Sequence, residues 1–150
     1  MQKPVWLFSE GSLKRRDLLG NNGANLCEMT SLGMPMPFGF IITIQIHLEY
    51  QRLRQRIPEG TREEVKAALL KMEIRQGAEF GNPVNPMLVS VSSGASVSMP
   101  GMMDTLLNLG INDEIVEGLA KLTANPRFAY DTYRRLLQLY GAVVGGKGIN

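Results

Sequence analysis

Short apolar runs along the chain predict three β-strands. Val5 to Phe8 and Phe38 to Thr43 combine branched, aromatic and other apolar residues, which favour an extended backbone. Leu88 to Val91 is a third such run, and the turn signals Asn82-Pro83 and Asn85-Pro86 precede it. Helical patterns separate these runs irregularly, so the order of elements favours a mixed α and β fold over a doubly wound parallel sheet.

Apolar residues at three- and four-residue spacing predict helices between and after the strands. One predicted helix opens at Gly20 to Gly23 and runs to about Leu32. The other stripes are Ile46, Tyr50, Leu53 and Ile57; Val65, Ala68, Leu69 and Met72; Ile115, Leu119 and Leu122; and Ala129, Tyr133, Leu136, Leu137 and Tyr140.

Polar residues ahead of the stripes predict where these helices begin. Thr61 stands three residues before a glutamate, which is the spacing of a capping box. Asn112 precedes the stripe that begins at Ile115, and Asn125 precedes Pro126, a favoured first helical residue. Gly141 is predicted to end the last helix.

Composition limits the classes of protein to consider. The chain has 150 residues, 44% hydrophobic and 20% charged, which suits a single globular domain able to bury a core. A net charge of +2 gives no reason to expect nucleic acid or membrane partners, and the run Lys14-Arg15-Arg16 is predicted to be a solvated face. No apolar run approaches the roughly 18 residues of a membrane span, so we expect a cytoplasmic chain.

The residue types that most often carry chemistry are scarce. Cys27 is the single cysteine, which excludes a disulfide framework and indicates a small core residue. His47 is the single histidine and is predicted to be an exposed helix residue. The sequence therefore predicts no metal site and no catalytic residue.

Two glycine- and serine-rich segments could bind phosphate. The strand at 88–91 leads into a loop of small residues at 92–98, and outward N–H groups in such a loop can hold an anion. The Gly-Asn segment at 20–23 could do the same at a helix N-terminus. Surface loops are also rich in Ser and Gly, and Asn is a good N-cap, so both segments keep a structural alternative.

Three motifs in the chain match those of one protein family. The run SGASVSMPGMMDTLLNLGIND resembles VRSGARASMPGMMDT, the signature of the ATP domain of pyruvate phosphate dikinase. Upstream, LLGNNGANL is similar to the family's LLGGKGANL, and downstream NPRFAYDTYRR resembles NPRFAYDSYRR. The matches occur in the family's order and cover nearly the whole chain.

The resemblance implies an α+β (mixed α/β) fold, the N-terminal part of an ATP-grasp-like nucleotide-binding domain. Residues 1–110 would form a small mixed sheet with helices, and residues 111–150 would begin a helical subdomain that is truncated here. ATP and magnesium are the ligands that the family implies. The nucleotide-binding residues that match its motifs are Asn21, Asn22, Gly23, Ser92, Ser93, Gly94, Ser96, Met103, Asp104 and Thr105.

The departures from the family pattern remove positive charge. Asn21 and Asn22 stand where the family has glycine and lysine, and Ser92 and Ser96 stand where it has arginines. Neutral groups still donate hydrogen bonds, but bonds to charged groups contribute about 1.5–3 kcal/mol against about 1 kcal/mol for neutral ones. We therefore expect weakened ATP binding and little of the electrostatic stabilisation that phosphoryl transfer needs.

The resemblance leaves three hypotheses for the role of the chain. It could be a truncated dikinase nucleotide domain without catalysis of its own, since the family's phosphohistidine and phosphoenolpyruvate-binding domains are absent. It could be one subunit of a split dikinase, completed in trans. It could also be a regulatory module that pairs with a full-length homologue. We expect a homo-oligomer or a complementary dikinase chain as partner, because part of a domain exposes apolar surface.

Overall fold

The computed structural model describes residues 3–92 and 105–143, and these residues form a mixed α and β structure. The elements in chain order are β1 (Val5–Leu7), a 3₁₀ turn (Leu13–Arg15), α1 (Arg16–Ser31), β2 (Phe40–Ile42), α2 (Ile44–Arg52), α3 (Thr61–Gln76), β3 (Val89–Val91), β4 (Leu106–Leu109), α4 (Asp113–Thr123) and α5 (Pro126–Val143). The predicted mixed α/β class is confirmed.

The strands pair in two separate antiparallel ladders. β1 pairs with β2, with Val5 opposite Ile42, and β3 pairs with β4, with Val91 opposite Leu106. The prediction of one small mixed sheet is therefore wrong for the described residues. Each strand has only three or four residues and bonds to a single neighbour, and antiparallel pairs need no crossover connection.

The chain divides into two compact units, with the boundary after Arg75. In the first unit, α1 is broken at Gly20, whose φ of 76° and ψ of 170° are not helical. A small buried cluster lies along this helix, with Trp6, Leu13 and Ile41 packed against it. Its buried members are Leu18, Leu19, Ala24 and Cys27.

α2 is shorter than its apolar spacing predicted. It begins after Thr43, whose side chain accepts a hydrogen bond from the Ile46 N–H, and it ends at Arg52. Arg54 and Gln55 follow with left-handed φ values of 56° and 65°, which turn the chain away from the helix. Ile57, predicted to extend the stripe, is 45% exposed.

α3 begins without the predicted capping box. Thr61 is the first helical residue instead of the cap, and Gly60 precedes it with a φ of 83°. The Thr61 hydroxyl is buried and has no hydrogen-bond partner among the described residues. α3 carries apolar side chains on two faces: Ala68 is buried, whereas Ile74, on another face, is 74% exposed.

The second unit contains the larger buried cluster, which joins β4, α4 and α5. Asn112 caps α4, with its Oδ1 accepting from the Glu114 N–H at 3.0 Å and the Ile115 N–H at 2.8 Å. Asn125 Oδ1 accepts from the Phe128 N–H at 3.1 Å at the start of α5. Both predicted caps are confirmed.

The faces of α4 and α5 are only partly as predicted. Ile115, Leu119, Ala129 and Leu136 are buried. The inward positions predicted for Leu122, Leu137 and Tyr140 are wrong, since these side chains are 56%, 57% and 47% exposed. α5 also continues past Gly141, its predicted end, to Val143.

Candidate nucleotide-binding site

The predicted site residues lie in both compact units. Asn21, Asn22 and Gly23 are on α1 in the first unit, while Ser92 and Thr105 flank the β3–β4 ladder in the second. Ser93, Gly94, Ser96, Met103 and Asp104 lie outside the described residues. The described site residues therefore form two groups, one on α1 in the first unit and one at the ladder in the second.

The break at Gly20 places residues 21–23 in the first turn of a new helical segment. Glycine allows the positive φ of 76° at this position without the steric cost that a Cβ would add. The N–H groups of a first helical turn point away from the helix body and favour negative charge. Because Gly20 holds the non-helical position, Asn21 and Asn22 lie inside the turn, which argues against the capping interpretation.

The three residues of this turn differ in accessibility. Asn22 is exposed, Asn21 is half-buried and Gly23 is buried. A Cβ added at Gly23 would lie 3.1 Å from the Ile41 side chain, so glycine here allows close packing of α1 on β2. Asn22 is the most exposed residue of this turn.

The second group lies at one end of the β3–β4 ladder. Val91 pairs with Leu106, so Ser92 and Thr105 are the next residues outward on the two strands. Both are exposed. The chain between them, which carries the dikinase-like motif, lies outside the described residues.

Other residues that could carry chemistry have structural surroundings. The Cys27 thiol is free and completely buried, and burial raises its pKa. His47 is exposed on α2, and Lys14 and Arg16 are exposed as a solvated face would be. Within residues 3–92 and 105–143, no group of three or more His, Cys, Asp or Glu side chains could hold a metal ion. No helix in those ranges is long and apolar enough to cross a membrane.

A groove in the second unit was not predicted from the sequence. It lies between the 83–84 turn and α4, and its lining includes Glu114, Glu117 and Lys121. Two carboxylates against one ammonium make it a poor site for a nucleotide phosphate. No sequence motif marked it, because its two sides are about thirty residues apart in the chain.

Comparison with known proteins shows that nearly the whole length of the chain is similar to dikinase sequences. It is 51% identical over 144 residues to pyruvate, phosphate dikinase of Clostridium symbiosum, matching 96% of this chain and 16% of that protein. It is 50% identical over 139 residues to the Entamoeba histolytica enzyme, matching 93% of this chain and 16% of the relative. For the Giardia intestinalis enzyme the identity is 55% over 131 residues, with 87% and 15% covered.

The chain is thus homologous to a segment of pyruvate, phosphate dikinase, which confirms the resemblance seen in its motifs. It spans about 16% of the length of these curated relatives. No family model matches the chain.

Proposed function

We propose that this chain supplies the phosphate-binding part of an ATP-grasp-like nucleotide domain of dikinase type and does not transfer phosphoryl groups by itself. The observation that carries the proposal is the 51% identity to a pyruvate, phosphate dikinase over 96% of the chain. Residues 1–110 form the nucleotide-binding subdomain in this proposal, and residues 111–150 begin a helical one.

The two groups of site residues support a role in phosphate binding. The turn at 21–23 begins a helical segment just after the break at Gly20, and such turns bind anions through backbone N–H groups. Ser92 and Thr105 bring exposed hydroxyls to one end of the β3–β4 ladder, where they can donate to phosphate oxygens. ATP with magnesium is the ligand proposed for these residues.

Weak binding and the lack of catalysis follow from the neutral side chains. The family's lysine is replaced by Asn22 and its arginines by Ser92 and Ser96. Each replacement exchanges a charge-assisted hydrogen bond for a neutral one, at a cost of roughly 1 kcal/mol or more. A transition state for phosphoryl transfer depends on such cations more than the bound ground state does, so the loss falls mainly on catalysis.

Calorimetric titration with magnesium-ATP tests the proposal. The wild-type chain is compared with the double variant Asn22→Lys/Ser92→Arg, which restores two cations at the proposed site. Asn25→Lys/Ser90→Arg is the matched control, because it adds the same charge at exposed positions two or three residues away in the chain. We expect the restored variant to bind at least about tenfold more tightly than wild type, equivalent to roughly 1.4 kcal/mol.

Two results would contradict the proposal. If the control gains as much affinity as the restored variant, the effect comes from net charge and not from a site at these residues. If wild type already binds ATP tightly and the restored variant does no better, backbone N–H groups suffice and the side-chain substitutions have not weakened the site.

A second candidate function is a subunit or regulatory module that joins a complementary dikinase chain. The observation that favours it is that the chain corresponds to about 16% of the length of the relative it matches. Pull-down with a tagged full-length relative, followed by assay of its activity, distinguishes the candidates. Binding that raises or lowers the activity of the relative supports this second function. If the chain does not bind the relative, the result favours a nucleotide-binding segment that acts independently.

A further inference from the structure

α3 buries little of its surface in the first unit. Three of its sixteen residues are buried, and the apolar ones among them are Ala68 and Met72. Leu70 and Ile74, on the opposite side of the helix, are 56% and 74% exposed. By comparison, α4 buries four apolar residues out of eleven. Because packing of an apolar face supplies most of the stability of a helix in a protein, α3 is held less firmly than α4.

The contacts next to the buried side of α3 are charged and lie at the surface. The Arg75 guanidinium stacks over the Phe38 ring, 5.1 Å from its centroid. The pKa of the Glu10 carboxyl is lowered first by a hydrogen bond from Lys3 and, to a smaller extent, by the ammonium of Lys71 on α3. Lys71 and Arg75 are both exposed. Water screens such contacts, so they add little to the docking of the helix.

The first residue of α3 opposes docking. Thr61 is 4% exposed, and its hydroxyl has no hydrogen-bond partner among the described residues. A buried hydroxyl without a partner has given up its bonds to water and destabilises the state that buries it. If α3 moved away from the first unit, water would reach this hydroxyl again.

A glycine with a left-handed backbone lies at each end of α3. Gly60 precedes the helix with a φ of 83°, and Gly77 follows it with a φ of 68°. A Cβ added at either position would meet no described atom within 4 Å, so close packing is not the reason for glycine here. Glycine allows backbone conformations that other residues disfavour, and residues at the ends of an element can act as hinges.

We propose that α3 is a detachable helix, which undocks from the first unit while the β1–β2 ladder and the buried cluster on α1 stay closed. Gly60 and Gly77 take up the change in backbone direction. Undocking exposes Met72 and brings water to the Thr61 hydroxyl. A helix of sixteen residues is only marginally stable by itself in water, so the undocked α3 also opens some of its backbone hydrogen bonds. This inference does not depend on the nucleotide site.

Native-state hydrogen exchange tests whether α3 opens by itself in the full chain. Amides in the centre of α3, at 65–72, are compared with amides of α1 at 26–29, after each rate is divided by the rate for the same amide in the unfolded chain. We expect the α3 amides to exchange at least about tenfold faster, because they open without the rest of the unit.

Methionine oxidation distinguishes undocking from fraying of the helix in place. Met72 is 8% exposed, Met87 in the second unit is 1% exposed, and Met34 is 49% exposed. Hydrogen peroxide oxidises a methionine thioether that solvent can reach, and mass spectrometry of peptides gives the rate at each residue. We expect Met72 to be oxidised at least about tenfold faster than Met87 and more slowly than Met34, the exposed control.

Two variants should change the ratio of α3 exchange to α1 exchange in opposite directions. Phe38→Leu removes the ring under Arg75 without altering α3 and should raise the ratio by about two- to fivefold. Thr61→Val removes the buried hydroxyl, keeps its shape and should lower the ratio. Phe128→Leu is the matched control, since it makes the same change at a half-exposed residue of the second unit and should leave the ratio unchanged.

Three outcomes would overturn the proposal. Equal protection of α3 and α1 in wild type would mean that the first unit opens as a whole. Fast exchange in α3 with Met72 oxidised as slowly as Met87 would mean that the helix frays where it lies. A ratio that neither Phe38→Leu nor Thr61→Val changes would mean that the contacts at these residues do not govern docking.

Discussion

The two compact units are stabilised in different ways. In the second unit, eight buried residues from β4, the turn before α4, and the helices α4 and α5 form one cluster, whereas the cluster described in the first unit has four, all from α1. Local signals agree with packing in the second unit, where Asn112 and Asn125 cap helices whose apolar faces meet. In the first unit, α1 is broken at Gly20, and α3 begins with a Thr61 hydroxyl that has no hydrogen-bond partner among the described residues.

The difference separates the segments whose local sequence favours the stable fold from those whose local structure departs from that preference. Segments in which local preference and packing agree are the ones that fold most robustly. Departures from that agreement concentrate at functional sites in natural proteins. The break at Gly20 is such a departure, and it precedes the turn proposed to contact phosphate.

The largest expected effect is in the core of the second unit. Ile115 is 1% exposed, so Ile115→Ala should lower the free energy of unfolding by about 2–5 kcal/mol through lost burial and a cavity. Urea denaturation followed by circular dichroism measures the loss. Leu122→Ala, on the same helix but 56% exposed, is the control and should cost under about 1 kcal/mol. If Leu19→Ala in the first unit costs more than Ile115→Ala, the ranking of the two clusters is wrong.

A smaller effect is expected where the 83–84 turn touches α4. A Cβ added at Gly118 would lie 1.4 Å from the Pro83 carbonyl oxygen, which is backbone and cannot rotate away. Gly118→Ala should therefore destabilise the second unit by about 1–3 kcal/mol, although alanine is the better helix former. Thermal unfolding measures it, with Lys121→Ala on the same helix as control. An unchanged or raised melting temperature for Gly118→Ala would show that the turn can move aside.

Removing the polar side chain at a helix start should change the free energy of unfolding in opposite directions in the two units. Asn112→Ala deletes a cap that accepts two N–H groups and should cost about 1 kcal/mol. Thr61→Val removes a buried hydroxyl that has no partner among the described residues, so it should be neutral or stabilising. Parallel urea titrations compare the two. A clear loss in Thr61→Val would mean that its hydroxyl is satisfied in solution, and the contrast between the units would weaken.

The smallest expected effect is an acid dependence of the first unit. Bonding to the Lys3 ammonium and to the Leu7 N–H lowers the pKa of the Glu10 carboxyl below its usual value of 4.5. A lowered folded pKa means that the stabilisation is present above the unfolded value and is lost as the pH falls through the folded one. The pair is largely exposed, so the change should be under about 1 kcal/mol.

Fluorescence of the single tryptophan, Trp6, reports unfolding of the first unit across this acid range. Glu10→Gln should flatten the decline in stability below about pH 4.5, with Glu63→Gln as an exposed control in the same unit. An identical decline in wild type and Glu10→Gln would assign the acid sensitivity to another carboxyl.

Short-range signals predicted much of the fold. The Asn112 and Asn125 caps each act on backbone groups two or three residues away, so the sequence contains both partners. Predictions failed where the outcome depends on distant packing. Tyr140 fits the periodicity of α5, yet its side chain is 47% exposed. Likewise, the left-handed Arg54 that follows α2 has no local sequence signal.

The candidate site was predictable in identity more than in geometry. Motif resemblance picked out Asn22 and Ser92 as site residues, and their role in nucleotide binding stays a prediction. A glycine at position 20 permits a positive φ but does not require one, so the break in α1 could be seen only in the structure. The groove beside Gly118 was missed because it forms between segments that meet only after folding.

Because Cys27 is buried, the rate at which its thiol is labelled can report local opening of the first unit. Its thiol is 0% exposed and its pKa is raised by burial, so alkylating reagents should not react with it while the α1 cluster stays closed. Each opening of the cluster exposes the thiol for as long as the opening lasts. At high reagent concentration the labelling rate becomes the opening rate, and at low concentration it reports the equilibrium between closed and open forms. The lone cysteine therefore allows local motion around α1 to be timed without introducing any probe.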